Sequence, residues 1–120
     1  MKFTQSHEWI QVSGEIGIVG ITDYAQAELG QVVHIELPAV GKKVKAGEEV
    51  AVLESTKAAA DVYAPVSGEV IEINQKLCDF AEQVNRSAEG DGWLFKIRIE
   101  NPVELTHLLD REAYRELIVD

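Results

Sequence analysis

The chain has 120 residues, 46% of them hydrophobic and 27% charged, a length that closes one core but leaves little room for a deep substrate cleft beside a cofactor domain. Eleven basic against 21 acidic side chains give a net charge of −10, which argues against a nucleic-acid partner, and no stretch approaches the ~18 apolar residues of a membrane span. The single cysteine, Cys78, cannot form an internal disulfide and residues 1–7 lack the apolar stretch of a signal peptide, so a cytoplasmic setting is expected, or an organelle matrix after loss of a targeting segment not present here.

The first third reads as β. Trp9-Ile10-Gln11-Val12 is apolar-rich, Ser13-Gly14 is a turn signal, and Glu15 to Ile21 resumes a strand. Thr22 is placed to cap a short helix from Asp23 to Leu29, with Gly30 as its stop. Gln31 to Leu37 alternates from Val33 onward, and Pro38 ends it. The middle alternates short strands with turns. Lys45-Ala46-Gly47-Glu48 is a turn, Glu49 to Glu54 a strand, Ser55 to Ala58 an interruption and Asp61 to Ala64 a return strand. Pro65 to Gly68 turns again into Glu69 to Asn74. In the last third, Asp79 and Glu82 have capping-box spacing for a short helix near residues 80–84, Ser87 to Gly92 reads as a loop, and Trp93 to Ile99 as a final strand. Asn101-Pro102 starts a helical segment over about 102–118, with Leu105, Leu108 and Leu109 on one face. The expectation is one domain over residues 1–120, mainly β with short helices, built as a small sandwich or barrel.

Charge is uneven along this plan. Residues 1–40 carry one base and five acids, residues 41–68 four of each, and residues 69–120 six bases and twelve acids, giving −4, 0 and −6. Acidic flanks around a neutral middle suit docking onto basic surfaces of larger partners. Lys57 sits in that middle, among Ser55, Thr56, Ala58, Ala59 and Ala60. Gly47 lies ten residues before it and Gly68 eleven after. Folding these arms as a hairpin, within a core of about residues 41–74, puts Lys57 at the tip. A lysine among small side chains is open to an enzyme that must enclose its amine, and an amide at that nitrogen would remove its charge and lengthen it into a tether.

The segment Glu54-Ser55-Thr56-Lys57-Ala58-Ala59-Ala60-Asp61, followed by Tyr63-Ala64-Pro65-Val66-Ser67-Gly68-Glu69-Val70, resembles the lipoyl-lysine segment of the glycine cleavage system H-protein family. Upstream, Ser6-His7-Glu8-Trp9, Gly20-Ile21-Thr22-Asp23-Tyr24-Ala25-Gln26, Leu29-Gly30, Glu36-Leu37-Pro38 and Val40-Gly41 follow in the family's order. Downstream, Asn74, Leu77, Asn85, Gly92-Trp93, Glu104-Leu105, Leu108-Leu109 and Tyr114 also fit, so the resemblance covers nearly the whole chain.

The resemblance implies a barrel-sandwich hybrid of two small antiparallel sheets, with the lysine in a hairpin and a helical C-terminus. It implies lipoic acid amide-linked to Lys57 by a lipoate ligase or a lipoyl/octanoyl transferase, with Glu54, Ser55, Thr56 and Ala58 as hairpin context. The implied activity is that of a non-catalytic carrier. The decarboxylating P protein loads an aminomethyl group, the aminomethyltransferase T protein removes it, and dihydrolipoamide dehydrogenase reoxidises the arm. Such a carrier is expected to be monomeric, and tethering makes each transfer a local encounter. The resemblance also implies arm-sheltering carboxylates: Glu8 corresponds to a family glutamate in that role, and Asp61, just after the lysine, is a second candidate. An alternative within the same hairpin architecture is an H-like carrier serving lipoate relay to 2-oxoacid dehydrogenases or a redox-linked signalling system.

The sequence departs from the family pattern between Asp79 and Gly92, where Ala81, Gln83, Ala88 and Glu89 replace usual prolines and an aromatic and where Phe80 is unusual, as is Cys78 just before. Thr56 stands where valine is common. A biotin carrier has a similar hairpin, but its lysine sits between methionines and the only methionine here is Met1. His7, His34 and His107 lack metal-ligand spacing, so no metal is expected. Gly14, Gly17 and Gly20 do not form a dinucleotide motif, and no Ser-His-Asp order or nucleophile elbow is present.

Overall fold

Alternating apolar residues and glycine turns fold into nine strands, which a computed structural model describes together with short helices over residues 1–119. The strands are β1 (Lys2–Phe3), β2 (Glu8–Ser13), β3 (Ile16–Ile21), β4 (Val32–Glu36), β5 (Lys43–Val44), β6 (Glu49–Ser55), β7 (Ala59–Tyr63), β8 (Gly68–Ile73) and β9 (Phe95–Ile99). Helices α1 (Asp23–Leu29), α2 (Lys76–Asp79), α3 (Gln83–Arg86) and α4 (Arg111–Ile118) join them, with a 3₁₀ turn over Pro102–His107. The strands form two antiparallel sheets, one ordered β1-β2-β3-β9-β8-β5 and the other β4-β6-β7. Among the described residues no helix is long and apolar enough to cross a membrane.

The two sheets share one core. Ile10, Val19, Phe95 and Ile97 from the larger sheet meet Leu53 and Val62 from the smaller, all fully buried. A second cluster, Phe3, Trp9 and Tyr114, holds α4 on the outside of the larger sheet, with the Phe3 and Tyr114 rings stacked at 4.6 Å. The glycines of β3 are there for these contacts. A Cβ on Gly20 would lie 2.8 Å from the Trp9 ring, and one on Gly17 would lie 2.6 Å from the Ile10 side chain. The Trp9 indole N–H is then satisfied by the Ala88 carbonyl at 3.0 Å.

Several local signals read from the sequence hold. Thr22 caps α1 by accepting from the Ala25 N–H, and Gly30 closes it with φ +87°. Asn101 caps the 3₁₀ turn through the Val103 N–H, with Pro102 at its first position. Other expectations fail for tertiary reasons. In β4 the buried residues are Val32 and Ile35, not Val33, because a bulge between Val32 and His34 shifts the alternation. The helix expected near residues 80–84 is instead two short helices, with Asp79 ending α2 and Phe80 exposed, because Leu77 and Val84 are the residues drawn into the core. Leu105, Leu108 and Leu109 do not share a face. The chain extends at Leu108, so Leu105 and Leu108 pack on the main core and Leu109 on the Trp9 cluster. Gly47 and Gly68 are not opposite each other either. The Gly47 N–H pairs with Ala64, while Gly68 lies in β8 between Val44 and Ile99.

Among the glycines of the larger sheet, Gly68 has the least room for a side chain. A Cβ there would stand 2.1 Å from the Arg98 carbonyl oxygen and 2.9 Å from the Ile97 side chain. The carbonyl belongs to the paired strand and cannot move aside without opening the ladder. Gly68→Ala is therefore expected to destabilise the chain by at least about 2 kcal/mol in urea unfolding.

Candidate functional site

The β6–β7 hairpin is closed by its own serine. The Ser55 N–H donates to the Ala58 carbonyl at 2.7 Å, and the Ser55 Oγ accepts from the Lys57 N–H at 3.2 Å and the Ala58 N–H at 3.0 Å. One side chain thus satisfies the backbone donors of a tight turn, the local use for which serine is favoured there. Thr56 and Lys57 are left as the tip, both exposed. Glu54, the last full rung of the hairpin on its side, pairs with Ala59 and with His34 of β4.

The tip is tied down from below. The Thr56 N–H donates to the Gln31 carbonyl at 3.1 Å, which lies between α1 and β4. Asn85 of α3 grips both sides of Gln31. Its Nδ2 donates to the Gly30 carbonyl and to Gln26 Oε1, each at 2.9 Å, and its Oδ1 accepts from the Val32 N–H at 2.8 Å. The Lys57 stem runs over Gly30, where an added Cβ would lie 3.1 Å from Lys57 Cε. Gly30 thus serves twice, as a left-handed helix stop and as bare backbone beneath the lysine. Among the described residues no carboxylate is ion-paired with the Lys57 amine; the three ion pairs are Lys42–Glu48, Lys96–Glu72 and Arg111–Glu89.

Glu8 and Asp61 occupy different settings. Glu8 is 1% exposed. Its Oε1 accepts from the Thr4 and Ser6 hydroxyls, and its Oε2 accepts from the Tyr63 N–H at 3.1 Å. It therefore bridges β2 of one sheet to β7 of the other, two residues along from Asp61. Asp61 is exposed on the outer face of the hairpin. Its carboxylate raises the Glu49 pKa, chiefly by like-charge repulsion and further by accepting from Glu49 when that group is protonated, with Lys42 working weakly the other way. With a raised native pKa, the stability linked to the Glu49 proton is present at acid pH and lost as pH rises through that value.

The same face carries Glu36 and Glu54 beside Glu49 and Asp61, all exposed, around half-buried Val52. The neutral charge count for residues 41–68 does not survive folding as a neutral surface. Lys43 pairs across to Glu69 in the other sheet, Lys45 lies in the turn before β6, and Lys42, at the margin of this face, is ion-paired with Glu48 at 3.7 Å. The hairpin's outer face is acidic, with Lys57 at its end.

His7, in the turn leading to Glu8, holds a left-handed backbone at φ +75°. Its Nδ1 lies 2.8 Å from the Tyr114 hydroxyl, which is also 2.7 Å from Thr22 Oγ1. Burial pushes the Tyr114 phenol up, and its bond to Thr22 partly offsets this. Cys78 is exposed, and among the described residues no group of three or more His, Cys, Asp or Glu is placed for a metal.

Sequence reasoning did not find Asn85, Gly30 and Gln31 as supports of the lysine. Gly30 reads only as a helix stop, and no local pattern links residue 31 to residue 56. Asn85→Ala would leave the Val32 N–H and the Gly30 carbonyl without their partner. It is expected to cost about 1–3 kcal/mol in urea unfolding and to speed hydrogen exchange at the Thr56 amide.

The glycine cleavage H-protein family model matches residues 1–120. The chain is 52% identical over 118 residues to the glycine cleavage system H protein of Parvibaculum lavamentivorans, covering 98% of this chain and 94% of that one. It is 54% identical over 118 residues to that of Caulobacter vibrioides, covering 98% of both. The crystal structure of a glycine cleavage system H protein from Mycobacterium marinum superposes with a TM-score of 0.88 at 33% identity, covering 96% of this chain and 93% of that one. With the fold, the lysine hairpin and the sequence in agreement along its length, the chain belongs to the glycine cleavage H-protein family, the lipoyl carriers of the glycine cleavage system.

Proposed function

We propose that Lys57 carries lipoic acid in amide linkage and that the chain is a non-catalytic shuttle between the decarboxylating P protein and the aminomethyltransferase T protein. Dihydrolipoamide dehydrogenase would restore the arm, and a lipoate ligase or a lipoyl/octanoyl transferase would attach it. The observation that carries this reading is an exposed lysine, without an ion-pair partner among the described residues, on a two-residue tip whose own backbone is pinned. When bound, lipoate supplies a dithiolane whose sulfurs take up and release a one-carbon amine fragment and cycle between disulfide and dithiol.

The residues present fit that group. Ala58 and Ala59, both small and exposed, leave space beside the amine, and Gly30 offers no side chain to the lysine stem. Ser55 and the Gln31 carbonyl keep the tip rigid, so motion is confined to the arm beyond Cα. A fixed base with a flexible arm keeps the effective concentration high at each partner's site. The acidic outer face steers the carrier to basic surfaces and, being solvent-exposed and screened by salt, allows release.

Glu8 would supply the negative charge that a cationic amine cargo needs once folded back, with Asp61 at the rim. The Thr4 and Ser6 hydroxyls now on Glu8 can turn aside, whereas the Tyr63 N–H holds the carboxylate in place. Two outcomes test the reading. After co-expression with a lipoate ligase, intact mass is expected to show one lipoyl increment on the parent chain and none on Lys57→Arg; an unmodified parent, or an increment surviving in the variant, would overturn it. Glu8→Gln keeps an acceptor for Tyr63 but removes the charge, and the loaded chain is expected to lose its one-carbon amine to water faster. An unchanged rate would remove Glu8 from that role.

A further inference from the structure

The two sides of β7 differ. Toward β6, the Ala58 carbonyl accepts from the Ser55 N–H, so Ala58, and by strand alternation Ala60 and Val62, direct their backbone groups to the hairpin partner. Away from β6, the Tyr63 N–H donates to the Glu8 carboxylate, so Tyr63, Asp61 and Ala59 direct theirs outward. Two independent bonds give the same parity. β7 is an edge of its sheet, and among the described residues its outward side has a partner at Tyr63 alone. The N–H and C=O of Ala59 and Asp61 therefore form a short open edge.

That edge begins two residues from Lys57. Asp61 is four residues on, about 13 Å at the rise of an extended strand. An enzyme that encloses the Lys57 amine covers both positions, since a specific interface takes in some 20–30 residues a side. Ala58, Ala59 and Ala60 present no bulk to an approaching backbone. Open edges are normally kept short or charged, and Asp61 stands on this one. The charge that guards it also selects, because Glu54 and Asp61 are exposed acids beside the edge.

From these observations we propose that the enzyme that acylates Lys57 docks by adding an edge strand of its own to the outer side of β7, pairing with Ala59 and Asp61 and presenting lysine or arginine to Asp61 and Glu54. The inference rests on Lys57 being the acylated lysine. Main-chain pairing supplies affinity and aligns the tip, and the flanking charges supply preference. Because the pairing is to backbone, it does not depend on which side chains occupy β7.

Hydrogen exchange on the Lys57→Arg chain, which keeps β7 and a cation at the tip but cannot be acylated, tests this directly with a lipoate ligase as the probe. Free, the Ala59 and Asp61 amides are expected to exchange rapidly; with saturating ligase both slow at least tenfold, while Ala60 and Val62 change little. Unchanged Ala59 and Asp61 amides in the complex, or no complex at all, would overturn the proposal. So would protection in the free chain that grows with its own concentration, which would give the edge to a second copy. A kinetic arm uses lipoate, ATP and the ligase. Asp61→Asn keeps the N–H and is expected to lower kcat/KM for acylation by less than about fivefold. Asp61→Pro removes an outward N–H, leaves the β6 ladder intact, and is expected to lose about tenfold more. Equal losses in the two variants would show that charge alone docks the enzyme. A parent chain that is never acylated overturns the reading of Lys57 itself, whereas normal acylation of parent and Asp61→Pro alike overturns only the edge.

Discussion

The buried carboxylate of Glu8 is the tie between the two sheets. A carboxylate taken out of water is costly unless its oxygens are matched, and here three donors match them: two hydroxyls on its own turn and one backbone N–H from the other sheet. That last bond sets where β7 lies against β2. It closes the edge of β7 at Tyr63, beyond which Ala59 and Asp61 face outward in the register that the Ser55 turn sets. The two ends of the hairpin are thus held separately, the lysine end by Ser55 and the far end by Glu8.

The strained turn before Glu8 belongs to the same arrangement. His7 adopts a left-handed backbone that costs a non-glycine residue about 1–2 kcal/mol. Its ring contacts Tyr24 and Tyr114, and the Tyr114 hydroxyl bridges it to Thr22, the cap of α1. The end of α1 then delivers Gly30 and Gln31 under the lysine, so the turn that aims Glu8 and the helix that supports Lys57 are braced by one aromatic side chain from α4. This explains why a C-terminal helix remote in sequence from the hairpin packs on β1.

Rigidity and mobility are divided at one carbon. Ser55, Gln31 and Asn85 hold the backbone of the tip, while the Lys57 stem runs over the bare backbone of Gly30 and, among the described residues, its amine has no ion-pair partner. A carrier needs both properties. A loose tip would spread the arm over too large a volume, and a bonded amine could not be modified. The acidic outer face adds like-charge repulsion, seen in the raised Glu49 pKa, and gives no stability in return at neutral pH. A face that carries this cost is better suited to meeting basic partners than to holding the fold.

Much of this was legible in the residues themselves. Thr22 and Asn101 cap where they stand, Gly30 and Gly47 stop and turn the chain, and small residues around Lys57 predict an exposed tip, because caps and turns are set by neighbours a few positions away. The family pattern adds the carrier role and the expectation of a lipoyl group on the lysine. Tertiary structure alone decided the rest. It buried Glu8, made Asn85 a clamp across 53 residues to Val32, and divided Leu108 from Leu109 between two clusters. It gathered Glu36, Glu49, Glu54 and Asp61 on one face, with Lys42 and Lys57 at its margins and Lys43 in the other sheet, and it chose which side of β7 is open. Each of these depends on which distant strand or helix comes alongside, a relation that no periodicity within one segment encodes.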